Sequence, residues 1–439
     1  MKKVVFLLSM VFLLNACSHD DVDDLRQKYE DLKKEQERQA ELLATYQTLM
    51  QAVENKLTIS AIENTSDGYK IVFSNGTELL IKSGQDTSAV TRIEDTGNAI
   101  VFYMSNGTTI TIGKTEMIGL YILSEGTMGG GNGQLVYFDY NKATDKYERD
   151  EAKRFPNYGE TPNDLIIYGS KMYCAISGSS TGGGLVRVIN PFDGETIRNI
   201  SITKESVTLQ PRRLAAHGGK VYVTLYSGNV AQIDTASYTT DVAPLSGTYS
   251  EGLCISGQSL YICNSGQGNG NTVSVVDMAT FTETETITVP YNPMNILNAG
   301  NNELYVNTAT VWSGPASGPA NLHVLNTITK QITHTFNLGV ESIAAGKNYI
   351  YGTAFDWVDY KGLLKKISIA DKSVSDFTTS EDELMFAYKL SVNPITDEVF
   401  LTQQMGQDIN RFREDGVHVE TLKAGQQNGA AVVFVNMVK

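Results

Sequence analysis

Apolar residues follow two different periods along this chain, and the change of period divides it. From Val22 to Leu57 they recur every three or four positions. Val22, Leu25, Tyr29, Leu32, Leu43, Tyr46, Met50, Val53 and Leu57 fill the a and d positions of a heptad, with Gln36 and Gln39 as polar interruptions. Glu, Lys, Arg and Gln dominate between them, and the stretch contains no Gly or Pro. That pattern predicts one long helix with a narrow apolar seam, as a coiled coil requires. A single helix cannot bury such a seam, so the expectation is self-association as a dimer or trimer, or packing on another chain. The alternative is a spacer lying partly disordered on a cell surface.

After the helix the period drops to two. Tyr69-Lys70-Ile71-Val72-Phe73-Ser74-Asn75-Gly76-Thr77 recurs as Ala99-Ile100-Val101-Phe102-Tyr103-Met104-Ser105-Asn106-Gly107-Thr108, each followed by a returning strand. Asn-Gly tolerates the positive φ of a tight hairpin turn, so residues 58–114 are predicted as a duplicated β-hairpin spacer. From Ile118 onward one unit repeats about every 40–50 residues. Its anchor is an apolar-aromatic-apolar strand: Leu120-Tyr121-Ile122, Met172-Tyr173-Cys174, Val221-Tyr222-Val223, Leu260-Tyr261-Ile262, Leu304-Tyr305-Val306, Ile350-Tyr351-Gly352 and Val399-Phe400-Leu401. A tight turn such as Gly218-Gly219-Lys220 precedes most anchors, with a short strand before it. A third strand follows and often ends in Asp or Asn, as at Asp139, Asn190, Asp234, Asp277 and Asn326; a Thr-rich fourth comes next. Four strands per unit and seven units predict an all-β, seven-bladed β-propeller over residues 115–439, a ring whose closure removes exposed sheet edges.

The first residues change the picture of where this ring works. Lys2 and Lys3 precede an apolar run, Val4 to Leu14, too short to span a bilayer comfortably. Leu14-Asn15-Ala16-Cys17 resembles a bacterial lipobox, which implies a signal peptide over 1–16 and lipidation (palmitate among the acyl groups) at Cys17. An ordinary secretory signal with a chance cysteine is the other reading. Asp20, Asp21, Asp23 and Asp24 resemble the export signal of gut-bacterial outer-surface lipoproteins, although a solvated charge run looks the same. Residues 17–57 then form the lipid anchor and coiled-coil stalk. The net charge of −14 argues against nucleic acid, which needs a basic footprint. Cys174, Cys254 and Cys263 lack metal-ligand spacing; Cys254 and Cys263 are either a cross-hairpin disulfide or two buried thiols.

Val221-Tyr222-Val223-Thr224 and Leu304-Tyr305-Val306-Asn307, each followed by a strand ending in Asp or Asn, resemble the surface-layer-like (YVTN) propeller family over about the last three-quarters of the chain. That resemblance implies the fold; propellers host both binding and catalysis. With strands A to D counted from the axis outward, the A–B turns are minimal and the B–C connections long and irregular, so the B–C/D–A face is the candidate site. It carries both tryptophans, Trp312 and Trp357, with Tyr360, Arg212, Arg213, Tyr388 and Lys389, and also Met294, Asn295, Glu341 and Asn428. Trp312 and Trp357 either stack on a ligand or plug gaps between blades; Arg212 and Arg213 either hold an anion or pair with neighbouring carboxylates. Tyr388 and Lys389 have the same ambiguity as rim residues.

No histidine stands in a metal or triad arrangement, and Asp356 and Asp359 lack the spacing of a calcium loop. The chain is therefore expected to be a binding protein without a metal or cofactor of its own, iron entering only inside a bound complex. Anchor, stalk and propeller together resemble the gut-bacterial surface lipoproteins that capture ferric siderophores or corrinoids. The resemblance implies an outer-membrane, surface-facing protein that passes a ferric catecholate siderophore to a TonB-dependent receptor, with a corrinoid (vitamin B12) or a glycan as alternatives. A propeller hydrolase or lyase and a purely structural surface-layer component remain open, because propeller sites gather residues from separate blades.

Overall fold

The computed structural model describes residues 19–54, 57–65, 68–73, 77–82, 90–95, 99–105, 107, 109–113, 115–127, 129–179, 183–314, 316–356, 358–378, 384–424 and 429–438. Signal peptide, Cys17, Asn75-Gly76, Trp357 and Asn428 lie outside them. The chain divides into two compact units, residues 1–115 with 438–439, and residues 116–437.

In the first unit, helix α1 (His19–Glu54) is 36 residues long, about 54 Å at 1.5 Å per residue. Its C-terminal part does not wait for another chain. Leu49 and Ala52 are fully buried, and Leu42, Tyr46, Met50 and Leu57 pack beside them on the apolar faces of two three-stranded sheets. A sheet accepts a broad 3.6-period stripe, so Leu42 and Leu49, off the heptad seam, are used while Leu43 and Val53 on it stay exposed. Tyr29 and Leu32 are exposed as well. The duplicated unit is larger than a hairpin: Ile59–Thr65 and Val90–Asp95 each add a strand ahead of the repeat.

Among its described residues the second unit holds seven four-stranded antiparallel sheets. Six run consecutively from Pro162 to Lys423; the seventh takes the last strand of the chain, Gly429–Val438, as the inner neighbour of Thr115–Ser124. Start and end of the unit thus share one sheet, and the ring closes into a β-propeller. We number the blades from the one that begins at Thr115. All seven aromatic anchors form second strands and are buried, because a ring flanked by sheets on both sides has no exposed face at that depth. The A–B turns of blades two to four are two residues long, and Gly218 and Gly219 both take the positive φ (57° and 77°) that such a turn demands. Those of blades five to seven are longer, 299–302, 346–348 and 393–398, so the expected minimal turn holds for only part of the ring. The Asp and Asn residues at the C–D turns cap them: Asp234 accepts from the N–H groups of Ala236 and Ser237, and Asp277 from those of Ala279 and Thr280. In the first blade Asn141 does this, two residues beyond Asp139. Cys254 pairs with Tyr261 in the strand register, and all three described cysteines are free buried thiols.

The fourth residue of the Val-Tyr-Val-Thr motif has a structural task. Five inner strands carry a register shift near their start, for example three residues from Pro211 to Leu214 against two from Leu225 to Val223. Such a bulge frees a backbone N–H and re-aims the side chains around it. Thr224 accepts the freed N–H of Arg213 (3.0 Å), Asn307 that of Asn295 (2.9 Å), and Thr402 that of Lys389 (3.1 Å). Each also donates to the next blade, to Glu251 O, Val340 O and Gly429 O. Thr402→Val keeps the shape and leaves two buried backbone groups unpaired. It is expected to destabilise the propeller by about 1–3 kcal/mol in urea unfolding, with Thr402→Ser close to wild type.

Candidate functional site

The seven inner strands surround an axial channel, and counting back from the buried apolar residue of each resolves it into layers. Leu165, Leu214, Leu253, Ile296, Ile343, Leu390 and Val432, one from every blade, line a cavity of about 210 Å³. The residues one position earlier line it too: Asp164, Arg213, Gly252, Asn295, Ser342, Lys389 and Ala431. An adjoining cavity of about 230 Å³ shares Arg213, Asn295 and Lys389, and adds Arg212, Met294, Glu341 and Tyr388 at its mouth. It lies off-centre, towards blades five to seven, where Ala309, Ala354, Phe355 and Gln404 at the outer ends of second strands complete it. The small side chains of Ala309 and Ala354 leave that space.

Four residues singled out in the sequence therefore come together: Arg212, Arg213, Tyr388 and Lys389. Bulges in blades three and seven place both pairs, which is why adjacent residues of one strand both reach the channel. Arg212 is already committed. Its Nε donates to Glu251 (2.7 Å), a second nitrogen donates to Asn163 Oδ1, and its guanidinium lies 5.1 Å from the centre of the Tyr226 ring. Burial opposes its charge, but Glu251 and Tyr226 outweigh burial and hold its pKa above the ordinary arginine value. Tyr388 is committed too, its hydroxyl donating to the Glu125 carboxylate at 3.2 Å. Burial first, then Glu125, pushes that phenol up.

Arg213 and Lys389 differ from their neighbours. Arg213 donates to the carbonyl of Asn163, while its buried Nε has no hydrogen-bond partner. Lys389 Nζ sits 4.6 Å from the centre of the Tyr388 ring and has no hydrogen bond or ion pair among the described residues. Burial, and then the positive charge of Arg213, lower the Lys389 pKa to about 7; Glu125 pulls the other way. Burial raises the carboxyl of Asp164 against the pull of Arg213, and two backbone N–H groups, of Leu165 and Leu214, hold that carboxylate in place. Two basic side chains from blades three and seven thus face the same axial space, and one of them, Lys389, holds its proton less tightly than an ordinary lysine.

The aromatic residues stand apart from this mouth. Trp312, on the loop between Thr308 and Asn321, is 80 % exposed and plugs no gap between blades. Tyr360 is 61 % exposed, edge-on to Phe355 at 6.1 Å. They rise from the loops of blades five and six, next to the side towards which the cavity is displaced. Asn163, Tyr226 and Glu251 are not among the residues that the sequence singles out. Asn163 and Glu251 occupy the repeat position of Arg212 and Tyr388, so superposing the repeats on their first strands exposes them. Among the described residues no group of three or more His, Cys, Asp or Glu side chains converges as a metal site.

No protein-family model matches the sequence, and no curated protein matches it. Solved structures match its shape. A candidate 6-phosphogluconolactonase from Bacteroides uniformis is 12% identical, with 72% of this chain and 100% of that one covered and a TM-score of 0.56. Hydrazine synthase from Kuenenia stuttgartiensis is 13% identical over 63% of this chain and 96% of its own, with a TM-score of 0.53. A quinoprotein alcohol dehydrogenase-like protein from Bacteroides thetaiotaomicron is 11% identical over 76% and 84%, with a TM-score of 0.52. At such identities the likeness is one of fold, the β-propeller.

Proposed function

We propose that this protein is a seven-bladed propeller that captures a small molecule bearing an anionic group, seated at the channel mouth between Arg213 and Lys389. The supporting observation is that these two cations face one cavity and neither forms an ion pair among the described residues. Asp164 acts on Arg213 only from beyond ion-pair distance, while Arg212 and Tyr388 beside them are committed to Glu251 and Glu125. A half-buried cation without an ion-pair partner is costly, and an anion that supplies one lowers that cost on binding. The mouth, at about 230 Å³, is smaller than the roughly 300–1,000 Å³ of a full ligand pocket, so it takes the anionic part of a larger molecule. The remainder lies over blades five and six, where Trp312 and Tyr360 offer aromatic faces. A ferric catecholate siderophore, anionic and aromatic, suits both halves; a corrinoid is the next fit and a glycan the third.

In this reading Cys17 carries the lipid, the helix and paired sheets are a stalk whose exposed Tyr29 and Leu32 join it to a second copy, and a TonB-dependent transporter receives the ligand at the outer surface. The protein holds its ligand and does not turn it over. Calorimetric titration with a ferric catecholate siderophore is expected to show binding, weakened at least tenfold by Arg213→Gln, since a charge-assisted hydrogen bond contributes about 1.5–3 kcal/mol. A glycan ligand would be indifferent to that substitution. Absence of binding to siderophore, cobalamin and glycans alike would overturn the proposal.

A further inference from the structure

We infer that Lys389 is a nucleophilic amine which captures anion-bearing aldehydes or ketones at the channel mouth as a Schiff base. This rests on the reading of the mouth as an anion site and adds a covalent step to it.

The groups around the lysine leave it free to react. Arg212 is held by Glu251 and Asn163, and the Tyr388 hydroxyl by Glu125, so none of these carboxylates or hydroxyls binds Nζ. Thr402 fixes the lysine backbone through the N–H (3.1 Å), so the side chain starts from a rigid bulge. Arg213, the other cation on the cavity, makes one side-chain hydrogen bond, to the Asn163 carbonyl, and no ion pair among the described residues, so its guanidinium charge remains for the anionic substituent of the same molecule. The titratable groups around Nζ are Arg213, Arg212, Glu125 and Glu251, with the Tyr388 ring 4.6 Å away and Glu341 and Asp164 on the same cavities; burial and the two arginines outweigh the carboxylates and lower the amine to about 7. Nucleophilic lysines are activated in this way, by desolvation and a neighbouring cation.

The step balances without an oxidant or a second reactant. The nitrogen lone pair attacks the carbonyl carbon, the C=O pair moves to oxygen, and a proton shifts from nitrogen to oxygen to give a carbinolamine. The C–O bond then breaks, water leaves with the remaining amine proton, and a C=N bond joins Lys389 to the ligand.

The test treats the full chain with pyridoxal 5′-phosphate at pH 7, reduces it with borohydride, and maps the labelled peptides by mass spectrometry. Lys389 is expected to label at least tenfold faster than any other lysine, with a pH profile whose midpoint lies near 7. Pyridoxal, which lacks the phosphate, and the Arg213→Gln variant with pyridoxal phosphate are both expected to label it at least tenfold more slowly. Labelling spread over surface lysines with an ordinary lysine profile overturns the inference. Pyridoxine phosphate has the anion and no aldehyde: if it binds while pyridoxal phosphate leaves Lys389 unmodified, the inference fails and the anion site stands. If neither compound engages the mouth, both fail.

Discussion

Replacing Arg411 with methionine is expected to cost the propeller about 3–5 kcal/mol, the loss typical of removing one partner from a buried ionic cluster. Arg411 is 1 % exposed and lies on the third strand of the seventh blade, Asp408–Phe412. Its guanidinium donates to Glu398 (3.0 Å) and Glu420 (2.9 Å) of its own blade, and to the Asp145 side chain (2.6 Å) and carbonyl (2.8 Å) in the first. The ring of Tyr147, 5.0 Å away in that first blade, stacks on it, and the Tyr147 N–H also reaches Glu420. The cluster therefore clasps the two blades where the ring closes, beside the seam made by the terminal strand. Methionine fills the volume but leaves three carboxylates converging without a counter-charge. Lysine keeps one charge without the planar fork, so Arg411→Lys should fall between. Guanidinium unfolding at constant slope checks this; a loss below about 1 kcal/mol for Arg411→Met would remove the clasp from the account of closure.

Lys389→Met should act in the opposite direction and depend on pH. The lysine amine moves from 10.5 in its ordinary setting to about 7 in the channel, chiefly through burial and then Arg213. Between these values the unfolded chain binds a proton that the folded one resists, so the wild-type protein gains stability as pH rises from 7 to 10.5. Below pH 7 the full cost is present; above 10.5 it has gone. Methionine abolishes the cost, and the variant should be more stable by about 2–4 kcal/mol at pH 6, converging on wild type above pH 10.5. Thermal unfolding across that range measures it. A constant difference between the two proteins at all pH values would show that packing, not charge, sets the effect. A site that destabilises its own fold in this way is common where function is selected over stability.

The repeat was legible because each blade solves the same burial problem with the same residues. Apolar-aromatic-apolar strands, Gly-Gly turns and Asp or Asn caps are local, and Tyr222, Tyr305 and Gly218 can be read without knowing their neighbours. The long helix was legible for the same reason, its period being set within one turn. Its partner was not: whether Leu43 or Leu42 is buried depends on the surface that meets the helix, and here that surface is a sheet. The third strand of each small sheet escaped notice because Ile59–Thr65 and Val90–Asp95 do not recur as clearly as the pairs they join.

By itself, then, the sequence determined the class of fold, the repeat, the buried anchors and the loop face on which Arg212, Arg213, Tyr388 and Lys389 sit. Only the tertiary structure decided which of these residues are spent and which are free. Glu251 lies 39 residues from Arg212, a gap that packing of adjacent blades reduces to hydrogen-bond length, and Glu125 lies 263 from Tyr388, a gap that ring closure spans. Bulge geometry turned neighbouring side chains into the same channel, and burial there lowered the affinity of one lysine for its proton. Charge pairing and desolvation are properties of three-dimensional surroundings, which a linear pattern of residues does not contain.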